Sequence, residues 1–84
     1  MNPDYIKKAK SKAKSLGVEI EPSKRKGKKF HIKDTNIHFG AKGMSDFLIH
    51  GDELRRKRFH DRFKNNKGYK DPKSPLFYSQ KILW

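Results

Sequence analysis

The 84-residue chain has no cysteine, few aliphatic residues and few acids. Without cysteine, it forms neither disulfides nor thiolate metal sites. No apolar run approaches membrane-spanning length and no apolar signal segment opens the chain, so we expect neither an integral membrane protein nor a classically secreted one. Nine acidic residues stand against 22 Lys and Arg, which gives a net charge of +13. This excess attracts polyanions, so the expected partner is nucleic acid, an acidic protein surface, or an anionic membrane touched peripherally.

Aromatic residues make up 12% of the chain and are concentrated in its later part. Tyr5 is the only one before Phe30. Because each aromatic ring buries a large apolar area, this distribution predicts a compact core over residues 30–84. Residues 1–29 are predicted to form a basic N-terminal arm or helix, which begins near Asn2 and either docks on the core or stays free. A chain of this length forms one small domain at most.

The residue pattern predicts an α+β fold. Its elements are an N-terminal basic helix, a short strand, a β-hairpin, a basic helix packed on the hairpin, and a short C-terminal aromatic helix. The hairpin is indicated by residues 30–33 and 36–39, which alternate apolar and polar side chains around Asp34-Thr35. This alternation places the apolar side chains on one face of the hairpin, and it places His31 and His38 together on the other.

The basic helix is predicted to start at Gly51 or Asp52 and to run to about Asn65. Phe59 and Phe63 lie one helical turn apart on it, and we expect both to be buried against the hairpin. Leu76, Phe77, Gln80, Leu83 and Trp84 of the C-terminal helix would then close the core. Five other aromatic residues could instead be stacking surfaces for unpaired bases, namely Phe47, Tyr69, Phe77, Tyr78 and Trp84. We favour the core interpretation for them, with Tyr78 as the best candidate for exposure.

Two basic clusters are the candidate polyanion-binding residues. The first, a turn with the form of a nuclear-localisation or polyanion-binding patch, consists of Lys24, Arg25, Lys26, Lys28 and Lys29. The second lies on the basic helix and consists of a stripe with i, i+3, i+7 spacing and a flanking residue, namely Arg55, Arg58, Arg62 and Arg56. Arginine binds phosphates and carboxylates bidentately. The alternatives are a solvated loop for the first cluster and, for the second, internal ion pairs with Asp46, Asp52 or Asp61.

Four histidines permit a metal interpretation, and a hairpin followed by a helix is the topology of ββα-metal nucleases. That chemistry requires a histidine base and several ligands converging on one ion. His31 and His38 are expected on the hairpin face that points away from His60, so the base and the ligand would be separated. Asp46 is expected to cap a turn. We therefore expect no catalytic residue, no metal site, no cofactor and no small-molecule substrate, and the nuclease stays a remote alternative.

Several short segments follow one another in a fixed order over roughly residues 24–84. They are His38-Phe39-Gly40, Asp46-Phe47-Leu48-Ile49-His50, Asp52, the basic helix, Asn65-Asn66, Asp71-Pro72, and Phe77-Tyr78-Ser79 followed by Leu83-Trp84. In these segments the chain resembles an uncharacterised family of small basic proteins encoded by large DNA viruses of eukaryotes, particularly viruses of algae and protists. The resemblance implies a virion location, with host cytoplasm or nucleus during assembly.

The expected function combines this virion setting with the charge of the chain. We expect a non-enzymatic structural protein that binds a polyanionic surface, with genomic DNA bound independently of its sequence as the first hypothesis. The alternative is a minor capsid or cement protein, which would bind acidic capsid proteins on the inner face of the capsid or its internal membrane.

Overall fold

The hairpin predicted from the alternating residues is the centre of an antiparallel sheet. In the computed structural model, which describes residues 2–84, the sheet has three strands in the order of the chain: β1 (Ile20–Pro22), β2 (Lys28–Ile32) and β3 (His38–Ala41). Phe30 pairs with Phe39, and His31 pairs with His38. The chain reverses at Asp34, which has a left-handed φ of 64°. Paired residues share a face, so the two phenylalanines point to one side of the sheet and the two histidines to the other.

The helices begin where capping side chains stand in the sequence. The described part of the chain has four α-helices: α1 (Pro3–Ser15), α2 (Phe47–His50), α3 (Glu53–Phe63) and α4 (Pro75–Tyr78). A 3₁₀ turn at Lys67–Tyr69 precedes α4, and a π-helical turn at Ser79–Leu83 continues it. The side chains of Asn2, Asp46, Asp52 and Ser74 accept main-chain N–H groups at the four helix starts. The α+β prediction, with a single domain and a short C-terminal helix beside Trp84, is confirmed.

The core lies on the phenylalanine face of the sheet and draws side chains from both ends of the chain. Phe30 and Phe39 are fully buried, with their ring centroids 5.8 Å apart. The other buried apolar residues are Tyr5, Ala9, Ala13, Ile20, Ile32, Tyr78, Ile82 and Leu83. The compact core expected from residue 30 onward therefore also contains the inner face of α1, where two alanines allow a close approach to the sheet.

The expected packing of α3 on the hairpin is wrong. No side chain of α3 is buried, and Leu54 is 56% exposed. Phe59 stacks instead on Trp84, with ring centroids 4.4 Å apart and planes within 2°, and Phe63 packs against Phe59. The physical reason is composition: α3 carries five Arg and Lys among its eleven residues. Its apolar stripe is too narrow to cover a sheet.

The C-terminal segment fills the sheet face that α3 leaves free. Ile82 and Leu83 of the π-helical turn are almost completely buried, and Tyr78, expected to be exposed, is buried against Phe39 with ring centroids 6.1 Å apart. Trp84 is only half-buried and lies at the rim of the core. Within residues 2–84, no helix is long and apolar enough to cross a membrane.

The two phenylalanine environments predict different effects of the same substitution. Phe39→Ala removes a fully buried ring and should lower the free energy of unfolding by about 3–5 kcal/mol, which is most of the stability of a small domain. Phe63→Ala removes a half-exposed ring and should keep a cooperative thermal transition in circular dichroism. If Phe63→Ala unfolds while Phe39→Ala melts cooperatively, the core has been assigned to the wrong face.

Candidate anion-binding site

The first basic cluster divides into an exposed loop and a strand. The side-chain oxygen of Ser23 accepts the N–H of Arg25 at 3.0 Å, and the carbonyl of Arg25 accepts the N–H of Lys28 at 3.2 Å. This tight turn between β1 and β2 leaves Lys24, Arg25 and Lys26 exposed, whereas Lys28 is half-buried in β2. We call residues 24–26 the basic loop.

Lys29, predicted to bind polyanions, is buried, so its ammonium is not available to them. The residue is 6% exposed, and its Nζ lies 2.8 Å from a carboxylate oxygen of Asp46. A buried ammonium requires such a counter-ion, because an unpaired charge inside a protein is very costly. Its charge is therefore neutralised within the fold. The sequence pattern missed this because the partner lies 17 residues away.

Asp46 is the acceptor for three elements at once. Besides Lys29, its carboxylate accepts hydrogen bonds from the hydroxyl of Tyr5 on α1 and from the N–H of Ile49 at the start of α2. The expected capping role is therefore present, and it is combined with a buried ion pair. Burial, together with the hydrogen bond to Asp46, raises the pKa of the Tyr5 hydroxyl far above its usual value, so the hydroxyl stays protonated and donates.

The second basic cluster lines a groove. Arg55, Arg58 and Arg62 are exposed on α3 and border a cavity of about 490 Å³, which extends toward β3 and the C-terminal segment. Within residues 2–84, no carboxylate lies within 4.0 Å of any of these three guanidinium groups. The alternative interpretation, in which this stripe pairs internally with Asp46, Asp52 or Asp61, is therefore not what the structure shows. We call this cavity the arginine groove.

Arg56 is separated from the other three arginines. Its Nε donates to the main-chain oxygen of Trp84 at 2.9 Å, and its guanidinium carbon lies 4.9 Å from the ring centroid of Phe47. A second nitrogen lies 3.5 Å from a carboxylate oxygen of Glu53. Arg56 therefore ties α3 to α2 and to the C-terminal segment, and it does not line the arginine groove.

Gly40 allows the wall of the groove to form. Its φ is +77°, and a Cβ at this position would lie 2.9 Å from Cδ1 of Leu83 and 3.1 Å from Cβ of Lys29. Any larger residue would force the side chain of Leu83 to shift and would be strained by the positive φ. The groove wall and the packing of the core thus depend on the same glycine.

The basic loop and the arginine groove meet at one end of the sheet. The carbonyl of Gly27, next to the basic loop, accepts the N–H of Lys42 at 3.0 Å. Ala41, the neighbour of Lys42, lines the groove. The three loop cations and the three groove arginines are therefore connected through residues 41–42, and Lys42 adds another exposed cation between them.

The histidines do not converge. His31 and His38 stack with ring centroids 4.3 Å apart on the outer face of the sheet, whereas Nδ1 of His60 on α3 lies 2.7 Å from the hydroxyl of Tyr69. Among residues 2–84, no group of three or more His, Asp or Glu side chains is arranged to hold a metal ion.

The two stacked histidines have different electrostatic surroundings. Nε2 of His31 faces the carbonyl oxygen of Thr35 at 2.6 Å and Nδ1 faces the carboxylate of Glu21 at 2.9 Å. Both partners accept, so the ring is fully satisfied only as an imidazolium, and the pKa of His31 is raised. Desolvation and the nearby Arg25 lower the pKa of His38, whose Nδ1 lies 2.7 Å from the hydroxyl of Ser23.

Fold and site together define a small α+β protein with a highly cationic surface. The chain belongs to a family of unknown function, DUF5754, whose model matches residues 18–63, just over half of the chain. The matched segment contains the basic loop, the Lys29–Asp46 pair and the three groove arginines. The comparisons with curated proteins and with solved structures gave no match.

The buried ion pair predicts a strong effect of removing one partner. Lys29→Met leaves the carboxylate of Asp46 buried without its cation and should lower the free energy of unfolding by about 3–5 kcal/mol. Lys26→Met, the same substitution in the exposed basic loop, should change it by less than about 0.5 kcal/mol. Urea denaturation of both variants measures the difference. Equal, small effects would mean that the Lys29 ammonium is solvated.

The stacked histidines predict two separate titrations. NMR of the histidine rings should show His31 losing its proton at a higher pH than His38. Because the pKa of His31 is raised in the fold, its contribution to stability is present below its unfolded pKa and is lost as the pH rises through the folded value. The pKa of His38 is lowered, so its contribution is present above its unfolded pKa and is lost as the pH falls. Coincident titrations would contradict the assigned hydrogen bonds.

Proposed function

We propose that this protein is a non-enzymatic binder of polyanions and that its partner is DNA, bound through phosphates and independently of sequence. The observation that carries the proposal is the stripe of Arg55, Arg58 and Arg62, three exposed guanidinium groups with no carboxylate within 4.0 Å in the part of the chain that the structure describes. Each presents donors in a geometry that matches phosphate oxygens. Phosphate contacts position a protein on nucleic acid but carry no sequence information.

The remaining charges of the molecule support the same proposal. Only five of the 22 Lys and Arg lie within 4.0 Å of a carboxylate in the described part of the chain, and they are Lys29, Lys33, Arg56, Lys57 and Lys64. The others repel one another in the folded state. A polyanion relieves this repulsion and releases its condensed counter-ions, which favours binding at low ionic strength.

The setting we propose for this binding is the virion of a large DNA virus of eukaryotes. It is supported by the resemblance of residues 24–84 to a viral family of small basic proteins. In that setting, the protein coats or condenses genomic DNA as a structural component. Acidic capsid proteins are the competing partner, because a carboxylate surface satisfies the same guanidinium groups.

Binding to duplex DNA should depend steeply on salt. If the three loop cations and the three groove arginines each neutralise one phosphate, the slope of log K against log salt concentration should be roughly −5. Replacing Arg55, Arg58 and Arg62 with Gln should make the slope less negative by about 3. Fluorescence anisotropy of a labelled duplex over a salt series measures both.

A matched control exists on α1, where Lys7, Lys10 and Lys14 are exposed and repeat the same i, i+3, i+7 spacing. Changing these three to Gln removes the same charge from a different surface and should alter the slope less. Equal changes in both triple variants would show that DNA binding depends on the total charge of the protein and not on the arginine groove. Absence of binding at low salt would refute the DNA proposal.

A further inference from the structure

We propose that the arginine groove holds unpaired nucleotides, so that the protein binds single-stranded nucleic acid more tightly than a base-free polyanion. The groove combines guanidinium groups for phosphates with aromatic rings that match the flat faces of bases. This inference rests on the proposed function, because the same arginines would contact the phosphates, and it adds that the groove recognises bases as well as charge.

The size of the groove fits this ligand. Its volume of about 490 Å³ lies within the roughly 300–1,000 Å³ range of ligand pockets in proteins, which are mostly apolar with a few polar groups. Its lining follows this pattern: Phe59, Phe63 and Trp84 contribute aromatic surface, and Leu76 and Leu83 contribute aliphatic surface. A surface intended only for phosphates would not need this apolar wall.

The aromatic rings are available because α3 does not enter the core. Phe59, Phe63 and Trp84 are only half-buried, although Phe59 stacks on Trp84 and Phe63 packs at an angle against Phe59. The guanidinium carbon of Arg62 lies 5.2 Å from the ring centroid of Phe63. An arginine held over an aromatic ring can also stack on a base, so Arg62 links the cationic and aromatic parts of the groove.

The arginine stripe can engage more than one phosphate. From Arg55 to Arg62 the helix rises about 10.5 Å at 1.5 Å per residue. This is about three times the 3.4 Å rise per nucleotide along one strand of a duplex. A short run of nucleotides can therefore place its phosphates along the stripe while one of its bases contacts Phe63.

Among the described residues that line the groove, Asp46 is the one carboxylate side chain, and it does not oppose an anion. Asp46 lines the groove but is 1% exposed, and its charge is compensated by the ammonium of Lys29 2.8 Å away. A duplex fits the groove less well, because its bases are stacked inside the helix and reach a protein pocket only when they are unpaired or flipped out. The aromatic wall therefore favours a single strand.

The chain has one tryptophan, and this residue lines the groove, so its fluorescence reports binding directly. The full chain is titrated with a ten-nucleotide oligothymidylate and, in parallel, with inorganic polyphosphate at equal phosphate concentration and salt. We expect the oligothymidylate to quench Trp84 and to bind more tightly, and polyphosphate to bind without quenching.

Two matched pairs of variants test the groove residues. Phe63→Ala should weaken oligothymidylate binding by about 5- to 150-fold, the usual effect of losing one base-stacking ring, and leave polyphosphate binding unchanged. Phe77→Ala, a half-buried ring outside the groove, should leave both unchanged once a thermal melt shows that it folds. Arg58→Gln should reduce the preference for the single strand, whereas Arg25→Gln should weaken both ligands in proportion.

The outcomes separate this inference from the proposed function. Equal binding of both ligands without quenching of Trp84 refutes the inference and leaves the polyanion proposal intact. Binding of neither ligand refutes both. If a Glu-rich amphipathic peptide quenches Trp84 while the oligothymidylate does not, the groove binds an acidic protein segment and the nucleotide assignment is wrong.

Discussion

The buried carboxylate of Asp46 is the contact on which the rest of the structure depends. It joins α1 through Tyr5, β2 through Lys29, and the start of α2 through the N–H of Ile49. A carboxylate removed from water is stable only when its lone pairs and its charge are satisfied together. Movement of β2 would leave the charge unpaired, and movement of α1 or α2 would leave one of its hydrogen bonds unmade. The ion pair therefore fixes the segment between β3 and α2, which forms one wall of the arginine groove.

Internal neutralisation of Lys29 and external exposure of the arginines have the same cause. A domain of this size has one small core, which accommodates one buried ion pair with its hydrogen bonds and little further charge. The other cations must stay at the surface, where they repel one another. Because an anion that binds only the folded state stabilises it by mass action, the proposed binding of a polyanion would also stabilise the fold.

Local sequence signals were sufficient for the elements but not for their packing. The cap at Asn2, the turn at Asp34 and the helix start at Asp52 follow from residues within a few positions of one another. Lys29, by contrast, was expected in the basic turn before the hairpin, and only its distant partner Asp46 makes its burial possible. The orientation of α3 could not be predicted from its own residues either, because the sheet face that it was expected to cover is occupied by Ile82 and Leu83. For the candidate site, the sequence indicated the arginine stripe and allowed Trp84 as a stacking surface, but it placed Phe59 and Phe63 in the core and not beside the stripe.

The residues that line the arginine groove lie partly inside and partly outside the family segment 18–63. Residues 18–63 supply Phe30, Ile32 and Phe39, but the buried side chains of α1 and of the C-terminal segment lie outside the matched range. The sheet therefore needs both flanks of the chain to bury its apolar face. The three arginines and Phe63 lie inside the range, whereas Trp84 lies outside it. The cationic stripe is thus part of the family segment. The aromatic lining of the groove is completed by Trp84, which follows the buried core residues Ile82 and Leu83.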